Sequence, residues 1–157
     1  MADVYERSLP PLSPHLFVSD AAAAIDFYKR AFGATELTRH LAPDQKRIMH
    51  AALLINGATV MLCDEFPEYS GGKRSAPDAL GGTPVVLHLQ MEDADSFFAE
   101  ATAAGAEVKM PLADQFWGDR YGQLKDPFGH IWSVGAAKKK LTEEEVMEAA
   151  KVHFNQS

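Results

Sequence analysis

Six histidines and a single cysteine are the side chains best suited to chemistry at neutral pH in this chain. An imidazole titrates near neutrality, which makes His15 and His88 candidate general bases. His40, His50 and His153 carry no recognisable constellation. Cys63 has no flanking motif that would lower its thiol pKa, and it reads as a small apolar residue. Arg120 could clamp a carboxylate or phosphate through its planar fork. Equally, Asp119 and Arg120 could form a local turn or a subunit-contact ion pair. No Ser-His-Asp arrangement can be argued. Gly71-Gly72-Lys73-Arg74-Ser75 lacks the spacing of a phosphate-cradling loop.

His15 and His88 stand out because they occupy equivalent places in an internal repeat. His15-Leu16-Phe17-Val18-Ser19-Asp20-Ala21 aligns with His88-Leu89-Gln90-Met91-Glu92-Asp93-Ala94. The following helical stretches close on Gly33-Ala34 and Gly105-Ala106. Gly57-Ala58-Thr59-Val60-Met61 then aligns with Gly129-His130-Ile131-Trp132-Ser133. Each half reads as strand, helix and three strands. In the first half, Ser19 or Asp20 caps a helix with Ala24, Ile25, Tyr28 and Phe32 on one face. Strands are expected over Thr35–Leu41, Arg47–Ile55 and Thr59–Cys63. The second half predicts strands over Val85–Met91, Glu107–Met110, Tyr121–Leu124 and Ile131–Val134, with a helix over Ala94–Ala104. Asp126-Pro127-Phe128-Gly129 is a turn signal. Residues 65–82 form a Gly-, Pro- and Ser-rich linker that could act as a mobile lid. Thr142-x-x-Glu145 is a capping box opening a C-terminal helix within 141–155. The modules are expected over 12–64 and 83–135, within one domain spanning 1–157.

Composition narrows the functional classes. A net charge of -7 argues against a nucleic-acid phosphate binder and against a polybasic membrane face. Hydrophobic residues make up 46%, enough for a real core. One cysteine allows no intrachain disulfide and suits a reducing cytoplasm. The first residues lack the apolar core of a signal peptide, and no apolar run reaches membrane-span length. A cytoplasmic protein is expected.

Two βαβββ units with an Asp-Pro-x-Gly turn before the last strand resemble the vicinal oxygen chelate (glyoxalase/bleomycin resistance/dioxygenase) superfamily. Asp114-Gln115-Phe116-Trp117-Gly118-Asp119-Arg120-Tyr121-Gly122, Gly82-Thr83-Pro84-Val85-Val86-Leu87-His88-Leu89 and Asp126-Pro127-Phe128-Gly129-His130-Ile131-Trp132 are similar to its PhnB-like branch. The resemblance covers roughly residues 12–134. It implies an α+β fold: two modules with curved mixed sheets around a cleft, plus a C-terminal helix. It also implies a small-molecule ligand and a homodimer.

Enzymes of that superfamily usually hold a divalent metal on one residue from the first and last strand of each module, typically two His and two Glu. The repeat carries these positions onto Ser13, Met61, Val86 and Ser133, none a good ligand for such an ion. No metal or other cofactor is therefore expected. Moving each position on by two residues keeps the strand face and gives His15, Cys63, His88 and Gly135, a zinc arrangement with an open place. Strand parity also puts Ser13, His15, Phe17, Met61, Cys63, Val86, His88, Gln90 and Ser133 on the concave face, with Arg120 nearby as a ligand clamp. Trp117 reads as a packing or dimer-contact residue. Trp132 has the opposite parity from Ser133 and is expected under a helix. Three functions follow as expectations. The leading one is metal-free binding of a small apolar or aromatic molecule. The others are a metal-free lyase or isomerase using His15 or His88, and a zinc enzyme using His15, Cys63 and His88.

Overall fold

The computed structural model describes residues 9–157. Each half of the repeat folds as a four-stranded mixed sheet with a helix on one face. In the first half, β1 (His15–Val18) leads into α1 (Ala21–Phe32), then β2 (Thr35–Leu41), β3 (Ile48–Ile55) and β4 (Ala58–Asp64). In the second, β5 (Val86–Gln90) leads into α3 (Ala94–Ala103), then β6 (Glu107–Asp114), β7 (Asp119–Lys125) and β8 (Ile131–Ala137). The strand orders are β1-β4-β3-β2 and β5-β8-β7-β6, the same topology twice. The linker holds a 3₁₀ turn (Pro67–Tyr69) and a short α2 (Pro77–Leu80). A final helix, α4 (Glu143–Asn155), opens on the expected Thr142/Glu145 capping box.

Local chemistry sets the helix ends. Asp20 caps α1 by accepting from Ala23 N at 3.0 Å, and Gly33 ends it at φ 64, a left-handed conformation that glycine adopts without a Cβ penalty. Asp93 caps α3 through Ser96 N at 3.0 Å. A second carboxylate, Asp64, is buried at the start of α1. It accepts from Ala21 N at 2.7 Å and Ile48 N at 2.6 Å, so its charge lies against the positive end of the helix.

Strand parity then builds the core. Leu16, Val18, Val60 and Leu62 point to the buried side of the first sheet, and Leu89, Trp132, Val134 and Ala136 to the buried side of the second. Trp132 is 1% exposed and packs on Tyr28 and Phe32 of α1, so it lies behind its sheet as its parity predicts. The helices of the two halves meet through Phe32 and Phe97, whose rings stack at 5.3 Å.

Asp126 joins the halves. It is 2% exposed and accepts from Tyr28 OH at 2.5 Å, Trp132 Nε1 at 2.9 Å, Phe128 N at 2.9 Å and His130 N at 3.0 Å. Two further hydrogen bonds tie the halves together at β1 and β5. His130 Nε2 donates to Phe17 O at 2.9 Å, and Asn56 Nδ2 donates to Gln90 O at 2.9 Å.

Burial, followed by the Asp126 charge, pushes the Tyr28 phenol well above its ordinary value of 10.0. A raised folded pKa means that its contribution is complete below pH 10 and is lost as pH climbs toward the folded value. Tyr28→Phe should therefore cost about 1.5–3 kcal/mol at neutral pH, the range for a hydrogen bond to a charged group. It should also flatten the alkaline fall in stability above about pH 10. Urea unfolding at pH 7 and pH 10.5 measures both effects.

Candidate functional site

The alternation that packs one side of each sheet against the helices turns the other side away from them. On the first sheet this face carries His15, Phe17, Met61 and Cys63; on the second, Val86, His88, Gln90 and Ser133. The register pairs His15 with Met61 and His88 with Ser133 across parallel strands, so the repeat holds at the level of individual residues. Phe17 and Val86 are each 42% exposed although apolar.

In the second module the polar groups satisfy one another. Ser133, 1% exposed, lies 2.7 Å from His88 Nδ1, and Gln90 Oε1 lies 2.8 Å from His88 Nε2. The amide oxygen can only accept, so Nε2 carries the proton and Nδ1 of the neutral ring accepts from the serine. Both nitrogens are engaged, which opposes His88 as a free general base. Gly135 makes room for this arrangement, because a Cβ there would lie 2.9 Å from both Gln90 Oε1 and His88 Cε1. Tyr121 stacks on His88 at 5.9 Å and accepts from Gln123 Nε2 at 2.9 Å.

The first module is built differently. His50 lies edge-on to His15 at 5.7 Å and tilted to His40 at 6.3 Å. Sequence reasoning left His40 and His50 unassigned because it applied strand parity only to the first and last strands of each module. Their pairing across β2 and β3 brings them to the same face as His15. His15 also stacks on Phe17 at 5.6 Å. Ser13 Oγ and Thr38 Oγ1 are enclosed without a hydrogen-bond partner.

Two cavities lie at the margins of these faces. One of about 340 Å³ sits in the seam between β1 and β5, walled by His15, Phe17, Leu80, Pro84, Val85 and His130. Another of about 640 Å³ lies at the β2–β3 hairpin, with Met49, Phe66 and Tyr69 among its walls. In it the Arg47 guanidinium covers the Phe66 ring at 4.4 Å.

Two sequence expectations need correction. Arg120 shares the parity of Gly122 and Leu124, so it points to the helix side. There its Nε meets both Asp95 oxygens at 2.9–3.0 Å, and Nη1 meets Asp114 at 3.2 Å. It is a structural ion pair and does not face the cleft. The shifted zinc set is not assembled either. Burial, then the Asp64 charge, pushes the Cys63 thiol to about 11. Among the described residues, no group of three or more His, Cys, Asp or Glu side chains could hold a metal ion.

The sequence pattern of the Glyoxalase/Bleomycin resistance protein/Dioxygenase superfamily matches residues 10–134. The chain belongs to that superfamily. An uncharacterized protein of Mycobacterium tuberculosis is 54% identical over 140 residues, spanning 89% of this chain and 82% of that protein. TioX from Micromonospora sp. ML1 superposes with a TM-score of 0.62 at 29% identity, over 85% of this chain and all of TioX. A PhnB protein from Bacillus cereus shares the fold, with a TM-score of 0.62 at 17% identity over 82% of this chain and all of its own. Within the superfamily's architecture, the positions expected to carry a divalent metal are Ser13, Met61, Val86 and Ser133 here. Valine has no donor atom, Met61 offers a thioether, and the Ser133 hydroxyl is committed to His88. These residues do not fit a divalent ion.

Two measurements check this geometry. Iodoacetamide should alkylate native Cys63 far more slowly than the unfolded chain at pH 7.5, with the native rate rising only as pH approaches about 11. Gly135→Ala should leave the unfolding free energy within about 1 kcal/mol, because the displaced atoms are ends of side chains. It should move the His88 ring ¹⁵N shifts, reporting the broken bond to Gln90.

Proposed function

We propose that this chain binds a small apolar or aromatic molecule in its cleft, without a divalent metal and as a homodimer. The observation that carries the reading is the seam cavity, where His15 and Phe17 meet the apolar wall formed by Leu80, Pro84 and Val85. Its volume of about 340 Å³ suits a small ligand, and a few polar groups in an apolar wall fix orientation while burial supplies affinity. The satisfied hydrogen bonds of His88 favour binding over proton transfer. The donor chemistry at the four superfamily positions supports a metal-free site.

The duplicated architecture supports the homodimer. The repeat presents two similar half-open faces per chain, and one twofold axis between copies closes both with the same interface. A single cysteine fits the reducing cytoplasm. No helix among the described residues is long and apolar enough to cross a membrane.

A thermal-shift screen of uncharged and cationic aromatic compounds tests the ligand. A compound at 100 times its Kd stabilises the native state by about 2.7 kcal/mol. The shift should survive EDTA and disappear in Leu80→Glu, which places a charge on the exposed rim of the cavity. A shift that requires added Mn²⁺ or Zn²⁺ would refute the metal-free reading. Sedimentation equilibrium at the monomer mass would refute the dimer.

A further inference from the structure

Asn56 and Asn155 are the two asparagines of the chain, and only Asn56 is followed by glycine. Asn56-Gly57 is the whole loop between β3 and β4, since Ile55 pairs directly with Ala58. Both residues have positive φ, 49 for Asn56 and 79 for Gly57, as a tight two-residue hairpin turn requires. Both are exposed, and a Cβ on Gly57 would meet nothing within 4 Å.

The Asn56 side chain reaches out of its own module. Nδ2 donates to Gln90 O, at the end of β5, at 2.9 Å. The nitrogen that ties the first module to the second is also the leaving group when an asparagine deamidates. Asparagine before glycine is prone to that reaction, because glycine carries no side chain to hinder attack by its backbone nitrogen.

We propose that Asn56 is a site of spontaneous deamidation, and that each event severs this bond between the modules. The Gly57 backbone nitrogen gives up its proton to solvent and attacks Asn56 Cγ. An N–Cγ bond forms and the Cγ–Nδ2 bond breaks. Nδ2 takes a proton from solvent and leaves as ammonia, and a five-membered succinimide remains. Water then opens the ring at one of its two carbonyls. Opening at Cγ gives aspartate. Opening at the main-chain carbonyl gives isoaspartate, whose main chain runs through Cβ and Cγ. No oxidant or reductant takes part.

Either product loses the donor. A carboxylate only accepts, so it sets negative oxygens against the Gln90 carbonyl. Isoaspartate also lengthens the main chain of a loop whose register allows two ordinary residues. The fold restrains the reaction as well as exposing it. While Nδ2 is held on Gln90 O, the carboxamide cannot turn back onto Gly57 N. Conversion therefore proceeds only while the tie is open, and its rate reports opening between the modules.

Asn155, at the end of α4 and followed by Gln156, is an internal reference. Native protein is aged in mildly alkaline buffer, quenched in acid and cut with trypsin. Peptides 48–73 and 152–157 then carry the two asparagines separately for mass spectrometry. A free peptide of residues 53–60 gives the unrestrained rate. Native Asn56 should convert about two- to tenfold more slowly than this peptide, the net worth of one hydrogen bond. Asn155 should stay unchanged over the same period. Each event adds one negative charge, so ion exchange isolates the converted protein. Its melting temperature, and that of Asn56→Asp, should fall by roughly 2–6 °C. Asn56→Gly keeps the positive φ but lacks the carboxamide, so it should melt low from the start and not change with age. If native Asn56 converts no faster than Asn155, the modification site is wrong. If it converts as fast as the free peptide, the bond to Gln90 does not restrain it and that part falls. If the isolated product and Asn56→Asp both melt with wild type, the severed tie is wrong.

Discussion

One buried carboxylate organises this molecule. Asp126 lies in the turn before β8, almost fully shielded from water, and a charge there is tolerable only if donors surround it. Two come from its own turn, one from Trp132 and one from Tyr28 in the other half of the chain. The last makes the difference. It ties α1 of the first module to the turn before β8 of the second. His130, held by the same turn, then reaches Phe17 O across the seam. The seam cavity lies beside this bond, with Phe17 and His130 both in its wall.

The two halves share a plan and differ in chemistry. The same register position holds His15 opposite Met61 in one module and His88 opposite Ser133 in the other. In the second, Ser133 and Gln90 occupy both ring nitrogens, and Gly135 leaves the space they need. In the first, Cys63 stands at the place equivalent to Gly135, and His50 comes within ring contact of His15. One face is a closed hydrogen-bonded array and the other a group of imidazoles beside an aromatic ring. Duplicated folds diverge most cheaply at such inward positions, because the helix side must keep its packing.

Much of the fold was legible because its signals are local. Capping residues, the glycine stop after α1 and strand alternation depend on a few neighbours, and β2 spans the expected Thr35–Leu41. β6 runs on to Asp114, beyond the expected end at Met110. Pro111 reads as a breaker, but β6 is an edge strand with irregular register, where a proline need not donate to the ladder. The linker over residues 65–82 carries a 3₁₀ turn and a short helix in place of an unstructured span. Of the site, alternation alone put His15 and Met61 on one side of their sheet, and His88 and Ser133 on one side of theirs. For Arg120, the clamp and the ion pair were equally open from the sequence, and its contacts are those of an ion pair with Asp95 and Asp114.

What the sequence determined by itself is the repeat, the order of elements and the side of each strand that meets the core. These follow from periodicities of two and 3.6 residues, which any short stretch displays. The tertiary structure alone decided that His40 and His50 join His15, that Arg120 turns to Asp95, and that α4 comes to rest on Phe116. Those pairings join residues distant in the chain. They are set by how two sheets and their helices pack as rigid bodies, and no local pattern records that geometry.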